Sequence, residues 1–83
     1  MFRVVVLKTA QKSLGKLPKQ AQIKITKRIR SLAYNPYGGK QLHGDLEGKM
    51  AIRLWPYRII YKIFRKQLII EILDIGHRQG IYR

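Results

Sequence analysis

The chain has 83 residues, 46% of them hydrophobic and 10% aromatic, which is the composition of one small folded domain and excludes a disordered segment. It has no cysteine, which excludes disulfides and thiolate metal sites, and no apolar run approaches the roughly 18 residues of a membrane span. Eighteen Lys and Arg against four acids give a net charge of +14, which calls for a polyanionic partner: nucleic acid first, an acidic protein second.

In chain order, Phe2 to Lys8 is β-branched at Val4, Val5 and Val6 and predicts a first strand. Thr9 suits the N-cap of a short helix through about Leu14, and Gly15 and Pro18 mark a break. Pro18 fits the first turn of a second helix, which runs to about Tyr34. Along it Ala21, Ile25, Ile29, Leu32 and Ala33 fall at helical spacing and form one apolar stripe. Lys19, Lys24, Lys27, Arg28 and Arg30 read as a solvated face, and Ile23 as a scattered surface apolar residue or, as the alternative, part of a partner site. Asn35-Pro36-Tyr37-Gly38-Gly39 stops the helix, and a loop containing Lys40, His43, Gly44 and Asp45 follows.

The last third, from Lys49, reads as a three-strand antiparallel meander. In Lys49 to Trp55, Met50, Ile52 and Leu54 alternate with Lys49, Ala51, Arg53 and Trp55, the period of a half-buried strand. Pro56 interrupts. In Tyr57 to Phe64, Ile59, Tyr61 and Ile63 point to a core while Arg58 and Lys62 point away. Arg65-Lys66 turns, and Leu68 to Ile75 is apolar at almost every residue, as in a central strand covered on both faces. Gly76 ends it, before His77-Arg78-Gln79-Gly80-Ile81-Tyr82-Arg83. The order strand, helix, helix, strand, strand, strand predicts a single α+β domain over residues 1–83, with a helical hairpin on one face of a mostly antiparallel four-stranded sheet. Alternation brings Arg53, Arg58, Arg78 and Tyr82 toward the non-core face.

The chain lacks a phosphate-binding glycine loop and a Walker lysine. His43 and His77 make no convincing metal set, and the acids Asp45, Glu47, Glu71 and Asp74 are too few for a two-metal nuclease. Glu71 and Asp74, at odd separation, are expected on opposite faces. No metal or cofactor is therefore expected. A metal-free ribonuclease remains open, because RNA carries its own 2′-hydroxyl nucleophile. Such an enzyme needs orientation, charge stabilisation by arginine, and proton transfer, for which Tyr82 or His77 has the chemistry. The same arginines also suit passive RNA binding.

Several segments resemble the RelE/ParE superfamily of bacterial and archaeal type II toxins, and within it the RelE branch. They are Lys16-Leu17-Pro18, Asn35-Pro36, Leu42-His43-Gly44-Asp45-Leu46, Ile52-Arg53-Leu54, Tyr57-Arg58-Ile59-Ile60-Tyr61, and the run from Ile75 to Arg83. The resemblance implies a RelE-like fold and an mRNA interferase: a metal-independent endoribonuclease that cleaves mRNA in the ribosomal A site and inhibits translation. It also implies neutralisation by a cognate antitoxin, expected to be acidic, in a hetero-oligomeric complex. By position, the catalytic roles fall on Arg53, Arg58, Arg78 and Tyr82, with Lys49, Lys62, His77 and Arg83 as further RNA-binding residues. Some members carry a lysine where this chain has Ala51, and Lys49 is the expected substitute. The alternatives are a ParE-like toxin that inhibits DNA gyrase without cutting RNA, and a non-catalytic basic RNA-binding module. Without a leader sequence or a membrane span, a cytoplasmic location is expected.

Overall fold

The computed structural model of the chain describes residues 1–42, 44 and 48–77. Arg78, Tyr82 and Arg83, expected to carry function, therefore lie outside the described residues, as does His43. Five strands form one sheet: β1 (Arg3–Val6), β2 (Lys40–Gln41), β3 (Met50–Leu54), β4 (Tyr57–Phe64) and β5 (Ile69–His77). Two helices, α1 (Lys8–Gly15) and α2 (Lys19–Leu32), lie between β1 and β2, followed by a 3₁₀ turn over Pro36–Gly38. The sheet order is β1-β5-β4-β3-β2, antiparallel except for the parallel pair of β1 with β5.

This is the expected helical hairpin on a mostly antiparallel sheet, with five strands instead of four. The added strand, β2, is two residues long. It is made by Lys40 pairing with Ala51 and Gln41 with Met50, too short to leave a period in the sequence. The first helix begins two residues earlier than expected. Leu7, with extended backbone, is its cap and contributes no side-chain bond, while Thr9 lies inside the first turn. Pro18 is likewise the residue before α2 and not its first turn, and α2 closes at Leu32 with Ala33 as C-cap.

The core lies between the helices and one sheet face. Ile25, Ile29 and Leu32 of the α2 stripe and Ala10 of α1 meet Ile52, Ile59, Tyr61, Ile70, Ile72 and Ile75. Met50, Leu54, Tyr57 and Ile63 pack around them, so β3 and β4 keep their predicted alternation. In β5 the alternation breaks. Ile72 and Ile75 are both core residues three apart, which a regular strand forbids. The register shows why: Ile60 pairs with Asp74 but Tyr61 with Ile72, leaving one extra residue in β5. The extra residue falls between Glu71 and Asp74. Glu71 sits opposite Lys62 and Asp74 opposite Ile60, while the Asp74 carboxylate accepts a 3.1 Å bond from the Ser13 hydroxyl. Gly76 also does not end the strand; it continues through His77. Among the described residues, no helix is long and apolar enough to cross a membrane.

Candidate functional site

The side of the sheet away from the helices carries cations in register. Arg53 and Arg58 are direct cross-strand partners, with Gly76 next to Arg58 on β5. One row along are Ala51 and Ile60, both buried, with Lys40 opposite Ala51. Extending the pairing of Met50 with Tyr61 by one residue brings Lys49 toward Lys62. Like charges directly opposite on a sheet destabilise it by a few tenths of a kcal/mol or more. Glu71, opposite Lys62 on β5, offsets this for the lysine row.

Arg53 is exposed, whereas Arg58 is half-buried with its Nε sealed from solvent. Lys62 lies over the Phe64 ring at 5.2 Å and keeps its ammonium at the surface. His77 has a different setting. It pairs with Tyr57 and meets that ring edge to face at 6.2 Å, on the helix side of the sheet. The structure thus joins Arg53, Arg58, Lys49 and Lys62 on one face and leaves His77 off it.

Two further cations reach the same place. A cleft of about 580 Å³ is lined by Arg28 of α2, Lys40 of β2, Arg53 of β3 and Arg58 of β4, with no acid among the described residues that line it. The sequence reading places Arg28 on a solvated face. A contrary signal is present, however: Ile25, Arg28, Ile29 and Leu32 stand at i, i+3, i+4 and i+7, so Arg28 lies along the core stripe and is half-buried. Lys40 carries no such signal. It is nevertheless the cation directly opposite Ala51, with Lys49 one row further.

The cleft wall is set by a buried phenol. Tyr61 is fully buried, and its hydroxyl donates to the Pro36 carbonyl at 2.7 Å. Burial pushes its pKa above the ordinary value of 10.0, against the lowering effects of the Gly39 backbone bond and the nearby Arg28 charge. Gly39 fits there because it has no side chain: a Cβ would stand 2.5 Å from the Tyr61 hydroxyl and 2.9 Å from the Ala51 carbonyl oxygen. Tyr61 and Gly39 together pin the 3₁₀ turn to the sheet and bring Lys40 beside β3. Among the described residues, no group of three His, Asp or Glu could hold a metal ion.

This architecture and sequence match known proteins along nearly the whole chain. The family described as the ParE toxin of the type II toxin-antitoxin system parDE matches residues 4–82. Toxin RelE of Mycobacterium tuberculosis is 32% identical over 84 residues, covering 99% of this chain and 87% of that protein. Among solved structures, the M. tuberculosis RelBE2 toxin-antitoxin complex aligns with a TM-score of 0.87 and 29% identity, over 93% of this chain and 98% of its counterpart. The archaeal RelE-RelB complex of Pyrococcus horikoshii aligns with a TM-score of 0.78 and 29% identity, over 95% and 97%.

Proposed function

The chain belongs to the ParE toxin family of type II toxin-antitoxin systems, within the RelE/ParE superfamily, and we propose that it is a metal-independent endoribonuclease that cleaves mRNA in the ribosomal A site. The observation that carries this reading is the opposed Arg53–Arg58 pair on an open sheet face, inside a cleft lined by cations. Two guanidiniums from adjacent strands, fixed by the ladder, suit a phosphate whose charge grows during reaction.

The chemistry uses the substrate's own nucleophile. The 2′-oxygen attacks the neighbouring phosphorus and loses its proton. The P–O5′ bond breaks, and the leaving 5′-oxygen takes up a proton. The products are a 2′,3′-cyclic phosphate and a 5′-hydroxyl. Arg53 and Arg58 hold the non-bridging oxygens, Arg78 adds to the same charge, and Tyr82 serves proton transfer. His77, stacked on Tyr57 on the helix side, is poorly placed for that role and is better suited to shaping the end of β5. Lys49, Lys62 and Arg83 hold flanking backbone. The cognate antitoxin, acidic by charge complementarity, forms a hetero-oligomer with the toxin, as RelB does with RelE in the two related complexes.

Primer extension on a reporter mRNA in a translating extract tests this. Breaks inside codons that appear only with ribosomes and end in a cyclic phosphate or its 3′-phosphate product are expected. Intact mRNA together with loss of gyrase supercoiling would establish the gyrase-inhibiting alternative instead. Intact mRNA, unaffected gyrase and simple RNA retention would leave only the binding module.

A further inference from the structure

We propose that Arg28 and Lys40 form a second phosphate subsite that holds the single-stranded RNA backbone next to the cleaved bond. The inference rests on the RNA reading above and adds a site to it. Both residues line the same cleft as Arg53 and Arg58, yet they come from a helix and from a two-residue strand. Neither element supplies a role in the reaction.

Four cations around about 580 Å³ repel one another, and no described residue of the lining is acidic. At the separations that volume allows, the repulsion is only partly screened at 0.1 M salt, where the Debye length is about 10 Å. An anion that threads the cleft reverses its sign. Arg28 is also held in place. Its Nη1 donates to the Ser31 hydroxyl at 2.7 Å, that hydroxyl donates to the Arg28 carbonyl at 2.6 Å, and the guanidinium lies against Gly38. The fork is thus pre-set with donors to spare, which lowers the entropy cost of gripping a phosphate. Lys40 is exposed on the edge strand, opposite Ala51. Ala51 and Arg53 are two residues apart on β3, a separation of about 6.6 Å. That offset lets Lys40 meet the phosphate beside the one at Arg53 and Arg58. The small side chain of Ala51 leaves the intervening floor open for the sugar.

An acidic segment of a protein is the competing occupant. A nucleic-acid backbone is favoured because the cleft is continuous with the Arg53–Arg58 pair, and a strand lying on that pair must leave it along one of its two ends.

The test uses the purified toxin and a 2′-O-methyl oligoribonucleotide, which binds but cannot be cut. Affinity is followed from low to moderate salt for the wild type, Arg28→Gln, Lys40→Ala, Lys40→Arg and the double variant. Removing either cation should weaken binding about fivefold and reduce the slope of log affinity against log salt by about 0.7. The double variant should reduce it by about 1.4, and Lys40→Arg should keep the wild-type slope. Wild-type cleavage of reporter mRNA is measured in parallel. No cleavage with the slope changes intact would sink the nuclease reading and leave the subsite standing. Cleavage by the wild type with unchanged slopes in variants of normal melting temperature would overturn the subsite. Unchanged RNA slopes with weakened antitoxin binding would overturn it too, and assign the cleft to an acidic protein. Should Arg28→Gln not fold, Lys40→Ala, on the sheet edge, decides alone.

Discussion

Arg58 has its Nε sealed inside the protein and its guanidinium on a face shared with Arg53. Replacing it with Ala removes both the fork and some packing of the stem. Single-turnover cleavage should fall about a hundredfold, or roughly 3 kcal/mol, as when one oxyanion donor is lost. Arg58→Lys separates the two effects: the stem stays and the melting temperature with it, but bidentate contact is gone. Near-wild-type cleavage by Arg58→Lys would mean that the residue supplies charge alone. Tyr61 makes a second case. Tyr61→Phe leaves the Pro36 carbonyl without its 2.7 Å donor, which should cost about 1–3 kcal/mol of stability. The same side chain has a pH signature. Its folded pKa is raised, chiefly by burial, so above the unfolded value the unfolded chain holds fewer protons than the folded one. The contribution is fully present below pH ~10 and is lost as pH rises through the folded value. Melting curves taken from neutral to alkaline pH should fall more steeply for the wild type than for Tyr61→Phe; parallel curves would refute this.

Turns and strand edges decide how the cleft is built. Gly39 is the tightest point, since a methyl there meets the Tyr61 hydroxyl and the Ala51 carbonyl oxygen. Gly39→Ala should destabilise by about 1–3 kcal/mol, the usual range for overpacking, and should move Lys40 off β3. A melting temperature equal to wild type would show that the turn yields freely. What can be read from the sequence follows the same elements. In β3 and β4 polar and apolar residues alternate, so the face carrying Arg53 and Arg58 is legible in the sequence itself. In β5 nearly every residue is apolar, and a bulge leaves no mark in such a run; the extra residue between Glu71 and Asp74 is therefore not legible in the sequence. β2 is two polar residues whose pairing is dictated by Gly39 and Tyr61, residues far apart in sequence, so Lys40 carries no local signal. Arg28 does carry one, a charge at a stripe position, but the four other basic residues along the same helix mask it.

The charge and the apolar surface of the protein point to two different parts of one partner interaction. The net charge of +14 attracts any acidic chain from a distance and speeds its encounter. It also attracts RNA, which competes for the same cations. Electrostatics alone therefore gives an inhibitor little advantage in a solution full of RNA. The apolar features lie elsewhere. Phe2, Val4 and Val6 of the N-terminal edge join Leu14, Ile29 and Tyr34 around a cleft of about 1020 Å³ between β1 and the helices. Among the described strands, β1 pairs with β5 on one side only and leaves its other edge open. An antitoxin segment that buries side chains there gains about 25 cal/mol per Å² of apolar area, a term that salt does not screen. The purified complex, taken from about 0.1 M to 1 M salt, should therefore stay associated while the Debye length shrinks from about 10 Å to about 3 Å. Its association rate should fall over the same range, and its dissociation rate should change little. Separation then requires denaturant. Complete dissociation by salt alone would mean that the cationic face holds the partner and that the apolar cleft is not part of the contact.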